Sequence, residues 1–319
     1  MYKYEPFQFT LKSDAFKGDP NDKDFLIRLL SDNQDKYTWQ LSLTRIHKAW
    51  YDTRGIGVKV AIIDSGVQED HPDLEGAVID YKDFTGEGKE DHSGHGTHVA
   101  GIIGSRINQK GLLGIAPECS LLVAKIIGKE ISPKGIEEAK RLAKAIDWAV
   151  EKEADIISIS LGVPSLPEVY SAVHSALSAN IFVIAAAGNN GSFYRDNIVC
   201  PGCYGSVITV GAHDSNGNPA GFSSRGGQVD FLAPGTNIWS THINSSYAKL
   251  DGTSMATPFV AGLSALIVAK HKELEENGGN LTPLINNFDL KEHLSRMSSH
   301  PGYHDPHTGY GPLLPFLYF

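Results

Sequence analysis

Five short stretches of the chain are apolar at almost every position: 58–64 (VKVAIID), 120–127 (SLLVAKII), 155–161 (DIISISL), 181–187 (IFVIAAA) and 206–210 (SVITV). A strand with one wet face alternates, so continuous apolar runs of this length predict strands covered on both faces, as in a parallel sheet. Between them the polarity changes period. Ile136, Ala139, Ala143, Ile146 and Val150 recur at helical spacing, with Glu137, Glu138, Lys140, Arg141 and Lys144 on the other faces, so 135–152 is predicted to be an amphipathic helix. The span 168–179 predicts a second helix, and 254–271 a third that is apolar enough to be buried. Strand–helix alternation on this scale implies an α/β fold, a mainly parallel sheet with helices on both faces in three layers. Such sheets carry their reacting groups in loops beyond the carboxyl ends of the strands. That rule singles out Asp64 at the end of the first strand, residues 160–162 after the third and Asn189 after the fourth.

The pattern starts late. Residues 1–36 have no sustained period and carry Gly18, Pro20 and several charges; they read as an N-terminal extension, with a short propeptide as one role, ahead of a single domain at 37–319. The 37 acidic against 28 basic residues give a net charge of −9, without any Lys/Arg-dense block. Binding to nucleic acid depends on neutralising phosphates, so it is excluded as the main function. No run approaches the ~18 apolar residues of a membrane span, and residues 1–20 lack the apolar core of a signal peptide, so a cytoplasmic protein with no membrane partner is expected. Three cysteines are too few for a disulfide scaffold.

Three segments combine the residue types of acyl transfer. IDSG (63–66) sets Asp64 at a strand end before a glycine turn. SGHGTHVAG (93–101) opens a helix with His95. GTSMATP (252–258) sets Ser254 just before an apolar helix, which must begin near that serine because Pro258 cannot sit deep inside it. Ser254 would be the nucleophile, inert until a base takes its proton. His95 would be that base, and Asp64 would fix the imidazole tautomer and stabilise the imidazolium. Asn189, in AGNNG, and the backbone N–H of Ser254 would donate to the developing oxyanion.

VAIIDSG, HGTHVAGIIG and GTSMATPFVAG, in this order and with the asparagine motif between the last two, resemble the signature blocks of the subtilases, the subtilisin-like serine proteases of peptidase family S8. The resemblance runs from about residue 39 to about 311 and is nearest in type to the leaderless intracellular subtilisins. It implies the subtilisin-like α/β/α fold and a serine endopeptidase acting on protein or peptide substrates; a homodimer would be compatible with the intracellular members. It also implies that Ser160, Leu161 and Gly162 pair with substrate and wall the P1 pocket, that Ala186, Ala187 and Gly188 form the other wall, and that Asn190 lies on the rim. The walls carry no charge, so an uncharged P1 side chain is expected. By the same resemblance, a structural Ca²⁺ would be held by Asp73 and Asn108 through their side chains and by Arg106, Lys110 and Leu112 through their carbonyls, oxygen donors suited to a hard cation.

Several features stand apart. Val163 and Pro133 fall where many subtilases carry glycine beside the cleft, and CPGC (200–203) replaces an aromatic before the proline. His92, His95 and His98 are three apart, but zinc is disfavoured: there is no H-E-x-x-H, and the outer two do not share a helix face. Cys200 and Cys203 could be a redox pair, half of a metal site or a local disulfide; two thiols shaping a loop are preferred to a regulatory role, and their redox state stays open. A triad-bearing docking protein or a peptide ligase stays open beside the protease.

Overall fold

The computed structural model describes residues 38–109, 111–191, 196–278 and 284–315. The extension at 1–36 and Lys110 lie outside the described residues. In chain order the elements are α1 (Trp39–Thr44), β1 (Lys59–Asp64), β2 (Val78–Asp83), α2 (His95–Gly104), β3 (Ser120–Lys125), α3 (Ile136–Glu151), β4 (Ile156–Ile159), α4 (Pro167–Ser178), β5 (Phe182–Ala186), β6 (Ile208–His213), β7 (Phe231–Pro234), β8 (Ile238–His242), β9 (Ser246–Leu250), α5 (Thr253–Glu276) and α6 (Asn287–Arg296). A 3₁₀ turn at Ile46–Tyr51 follows α1. Seven strands form one sheet in the order β2-β3-β1-β4-β5-β6-β7, with every pair parallel. β8 and β9 pair antiparallel as a separate hairpin.

All five expected strands form, and successive residues divide between two cores as a pleated strand requires. Val60 and Ile62 of β1, with Leu121, Val123, Ile156 and Ile184, pack on the face covered by α2 and α5. Ala61 and Ile63, with Leu122, Ala124, Ile157 and Val183, pack on the face covered by α3 and α4. Because both faces are buried, the inner strands are apolar at most positions, with Ser158, Thr209 and the strand-end Asp64 and Lys125 among the buried exceptions, and the alternating signature disappears.

Two sheet strands escape that signature. β2 lies at the sheet edge, and its VIDYKD is only partly covered. β7 is four residues long and ends in Pro234. Helix α5 corrects the expectation that no segment is apolar enough to span a membrane. It contains an 18-residue window of mean hydropathy 1.3, of which 89% is buried inside the protein. Met255, Phe259, Leu263 and Leu266 are essentially inaccessible, and each such side chain contributes about 1.5–3 kcal/mol on burial. The helix therefore runs through the fold as its central apolar rod, with Ser254 as its second residue.

Candidate active site

Asp64 ends β1, in register with Lys125 of β3, and is 2% exposed. Its Oδ1 accepts hydrogen bonds from the Ser65 N–H and from His95 Nδ1, both at 2.7 Å. Its Oδ2 receives no hydrogen bond among the described residues. His95 is the first residue of α2. Gly94, in the left-handed region at φ 79°, turns the chain into the helix. Gly96 allows close approach, since a β-carbon there would collide with the Gly66 carbonyl oxygen.

A second buried carboxylate, Asp91, organises this helix start. Its Oδ1 accepts from Ser65 Oγ (3.0 Å) and from the N–H groups of Ser93 (3.1 Å) and Gly94 (2.9 Å). Its Oδ2 accepts from the N–H and hydroxyl of Thr97 at 3.0 and 2.7 Å. Burial alone would lower the pKa of His95. The Asp64 charge, the hydrogen bond to it and the Asp91 charge outweigh that effect and hold the imidazole above its ordinary value. The Asp91 loop is fixed in turn by Lys125, which is fully buried and donates from Nζ to the carbonyls of Gly88 (2.9 Å) and Glu90 (2.7 Å).

Ser254 Oγ donates to the Ser160 carbonyl at 2.8 Å. The bond to the imidazole that acylation requires is therefore not the one made in this state; catalytic hydrogen bonds often form only with substrate in place. Asn189 lies beside the nucleophile with its amide direction fixed. Its Oδ1 accepts from the N–H (2.9 Å) and hydroxyl (3.0 Å) of Thr253. Its Nδ2 is thereby turned towards Gly252, 3.4 Å from where a β-carbon of that glycine would stand. The Thr253 hydroxyl accepts in turn from the Gly188 N–H at 3.1 Å.

Sequence reasoning missed Asp91, Thr253 and Lys125. Each left a trace: an acid four residues before His95, a hydroxyl next to Ser254, and a lone lysine in an otherwise apolar strand.

Residues Ser160, Leu161 and Gly162 follow β4, and Ala186, Ala187 and Gly188 close β5 and the turn after it. A segment at Val199 and Cys200 joins them: the Val199 N–H donates to the Ala187 carbonyl (3.0 Å) and the Val163 N–H to the Cys200 carbonyl (2.9 Å). Asn190 is exposed, with its N–H on Ser224 Oγ at 3.2 Å. Cys200 and Cys203 form a disulfide. The sequence leaves their redox state open; with two residues between them in a tight turn, they are close enough to bond. Cys119 is buried, and burial pushes its thiol up to about 12.

Of the residues expected at a cation site, Asp73, Asn108 and Leu112 come together. Fully buried Asp73 accepts from Asn108 Nδ2 (2.9 Å) and from the Leu112 N–H (2.8 Å), and its carbonyl accepts from the Arg106 N–H (2.7 Å). The Arg106 guanidinium points to other carbonyls, those of Gly76, Pro117 and Cys119. His98 is held by the carbonyls of Ile238 and Ala248, and burial lowers its pKa to about 4. His92 stands against Glu87 and Glu90.

Comparison with known proteins gives the arrangement a context. The subtilase family model matches residues 55–311. An intracellular serine protease of Paenibacillus polymyxa is 43% identical over 227 residues, 68% of this chain and 68% of its own. The major intracellular serine protease of Bacillus subtilis (strain 168) is 42% identical over 229 residues, covering 69% of this chain and 71% of the relative. Subtilisin BL of Lederbergia lenta is 38% identical over 253 residues, 78% and 86% of the two chains. With a carboxylate–imidazole pair at one strand end, an oriented amide at another and a serine at the start of the buried helix between them, the chain belongs to the subtilase family of serine proteases.

Proposed function

We propose that this protein is a serine endopeptidase that cleaves through an acyl-enzyme on Ser254. The observation that carries the assignment of roles is the 2.7 Å contact between His95 and Asp64. It leaves Nε2 of a neutral ring free to accept a proton. In the first step the Ser254 hydroxyl leaves the Ser160 carbonyl by rotation of one side-chain bond and attacks the scissile carbonyl carbon, while its proton passes to His95 Nε2. The oxyanion is met by Asn189 Nδ2 and the Ser254 N–H at the positive end of α5. His95 then gives its proton to the departing amine. A water, deprotonated by the same nitrogen, hydrolyses the ester and restores the serine.

A serine-reactive phosphonate should add once to the full chain and not to Ser254→Ala, as read by intact mass. A folded wild-type protein that takes no adduct would overturn the assignment. The relatives named as intracellular support a cytoplasmic location.

We also propose a structural Ca²⁺ bound by Asp73, Asn108 and the carbonyls of Arg106, Lys110 and Leu112. In favour is a buried carboxylate that, among the described residues, meets only N–H groups and no cationic side chain. Ligation would require the Asn108 amide to turn its oxygen towards Asp73. Bound there, the ion would tie the loop after α2 to the turn after β1, away from the reacting atoms. A chelator should then lower Tm, and Asp73→Ala should abolish that sensitivity; a wild type indifferent to chelator would remove the ion.

A further inference from the structure

We propose that Val199 stoppers the P1 slot, so that this protease cleaves after small uncharged residues such as alanine, serine and glycine and rejects large apolar or aromatic ones. The proposal rests on the reading above in which residues 160–162 and 186–188 are the two walls of that slot. Each wall ends in a glycine, Gly162 on one side and Gly188 on the other. In a slot built for a large side chain, the absent β-carbons would face open space. Here they would meet a valine. A β-carbon on Gly162 would stand 2.6 Å from Val199 Cγ2 and 3.1 Å from Cγ1, and one on Gly188 would stand 2.9 Å from Cγ1. One methyl group thus reaches both walls. Carbon atoms in contact sit about 3.5–4.0 Å apart, so no layer of substrate atoms fits between Val199 and either glycine.

Val199 is poorly placed to move aside. Its N–H is bonded to the Ala187 carbonyl of one wall (3.0 Å), and the next residue's carbonyl to the Val163 N–H beyond the other (2.9 Å). Its own carbonyl accepts from the Cys203 N–H at 3.0 Å, inside the turn closed by the Cys200–Cys203 disulfide. With its backbone strung between the walls, only the χ1 of a β-branched side chain is left, and that torsion is stiff. Val199 is half-buried, as expected of a residue whose outer face forms the floor of a shortened slot.

The test uses the full-length enzyme and a set of peptide p-nitroanilides that differ only at P1. Enzyme concentration is fixed by titrating Ser254 with a small phosphonate. For the wild type, kcat/KM should be at least roughly tenfold higher with alanine at P1 than with phenylalanine, within the range that apolar pockets achieve. Val199→Gly should raise kcat/KM for phenylalanine by roughly tenfold or more, change alanine by less than about threefold, and so invert the preference. Val199→Ala, which keeps the β-carbon and guards against a misfolded glycine variant, should fall between them. A titratable wild type that prefers phenylalanine, or a preference unmoved in both variants, overturns the proposal. Failure to titrate Ser254 in the folded wild type overturns the acyl-enzyme reading instead, and this proposal with it.

Discussion

Asp64 and Asp91 approach the start of the same helix from two sides, and both are almost inaccessible to solvent. Asp91 has both oxygens occupied by fixed donors: Ser65, Ser93, Gly94 and Thr97 surround it. Asp64 takes its two hydrogen bonds on one oxygen and, among the described residues, leaves the other without a donor. A carboxylate held by rigid N–H groups has its charge met at every stage of a reaction and serves as a fastening. One with unused capacity, bonded to a titratable ring, gains when the ring becomes positive. Burial is therefore no guide to which acid takes part in chemistry; the guide is whether its partner can change charge.

The comparison fails if the two acids behave alike on replacement. Asp64→Asn should lower kcat by about 10⁴-fold, the order known for the matching carboxylate of subtilisin itself, with Tm little changed. Asp91→Asn should do the reverse: a loss of about 1–3 kcal/mol in denaturant unfolding as fixed donors lose their acceptor, and a much smaller loss of kcat at high pH. Equal kcat losses with intact stability would erase the distinction.

Next in size is the amide that Thr253 orients. Asn189→Ala should reduce kcat by about 10²–10³, the range known for subtilisin's own oxyanion-hole asparagine. Thr253→Val, which removes one of the two donors that fix the amide, should give a smaller loss in kcat at unchanged KM.

The smallest effect sharpens the role of Asp91 as a charge. A base works in its neutral form, and both acids raise the pKa of His95. Activity should therefore climb with pH through a midpoint above the ordinary histidine value of about 6.5. Asp91→Asn removes one raising charge, so that midpoint should move to lower pH in kcat/KM profiles. The same shift links to stability. What the protonated His95–Asp64 pair contributes is full below about pH 6.5 and is lost as pH rises through the raised folded value.

How much of this was legible in the sequence depended on where each residue sits. Strands buried on both faces are apolar at most positions, so β1, β3, β4, β5 and β6 could be read directly, and with them the strand ends that carry Asp64 and Asn189. Edge strand β2 is only partly covered and is under no such requirement, while β7 is buried and apolar but, at four residues ending in a proline, too short to stand out. Among site residues, the reacting groups were visible because acyl transfer needs those residue types. Their supports were not. Asp91, Lys125 and Thr253 act through backbone carbonyls and N–H groups, which any sequence supplies, so only folding shows which ones they reach. Val199 was invisible for a related reason: an aliphatic residue beside a CPGC turn means nothing until the two glycines it touches are brought to either side of it.

Helix α5 has a consequence in time as well as in space. A ribosome adding about 5–20 residues per second takes roughly ten to thirty seconds to pass from His95 to Ser254. Throughout that interval the carboxylate and the imidazole exist without a nucleophile. Even once made, the serine acquires its surroundings only when the apolar rod behind it is drawn into the sheet. Until then the nascent chain has no assembled triad. The triad can therefore assemble only once α5 has been made and packed against the sheet, and the core it joins is finished later still, by Leu290, Leu294, Met297 and Leu313.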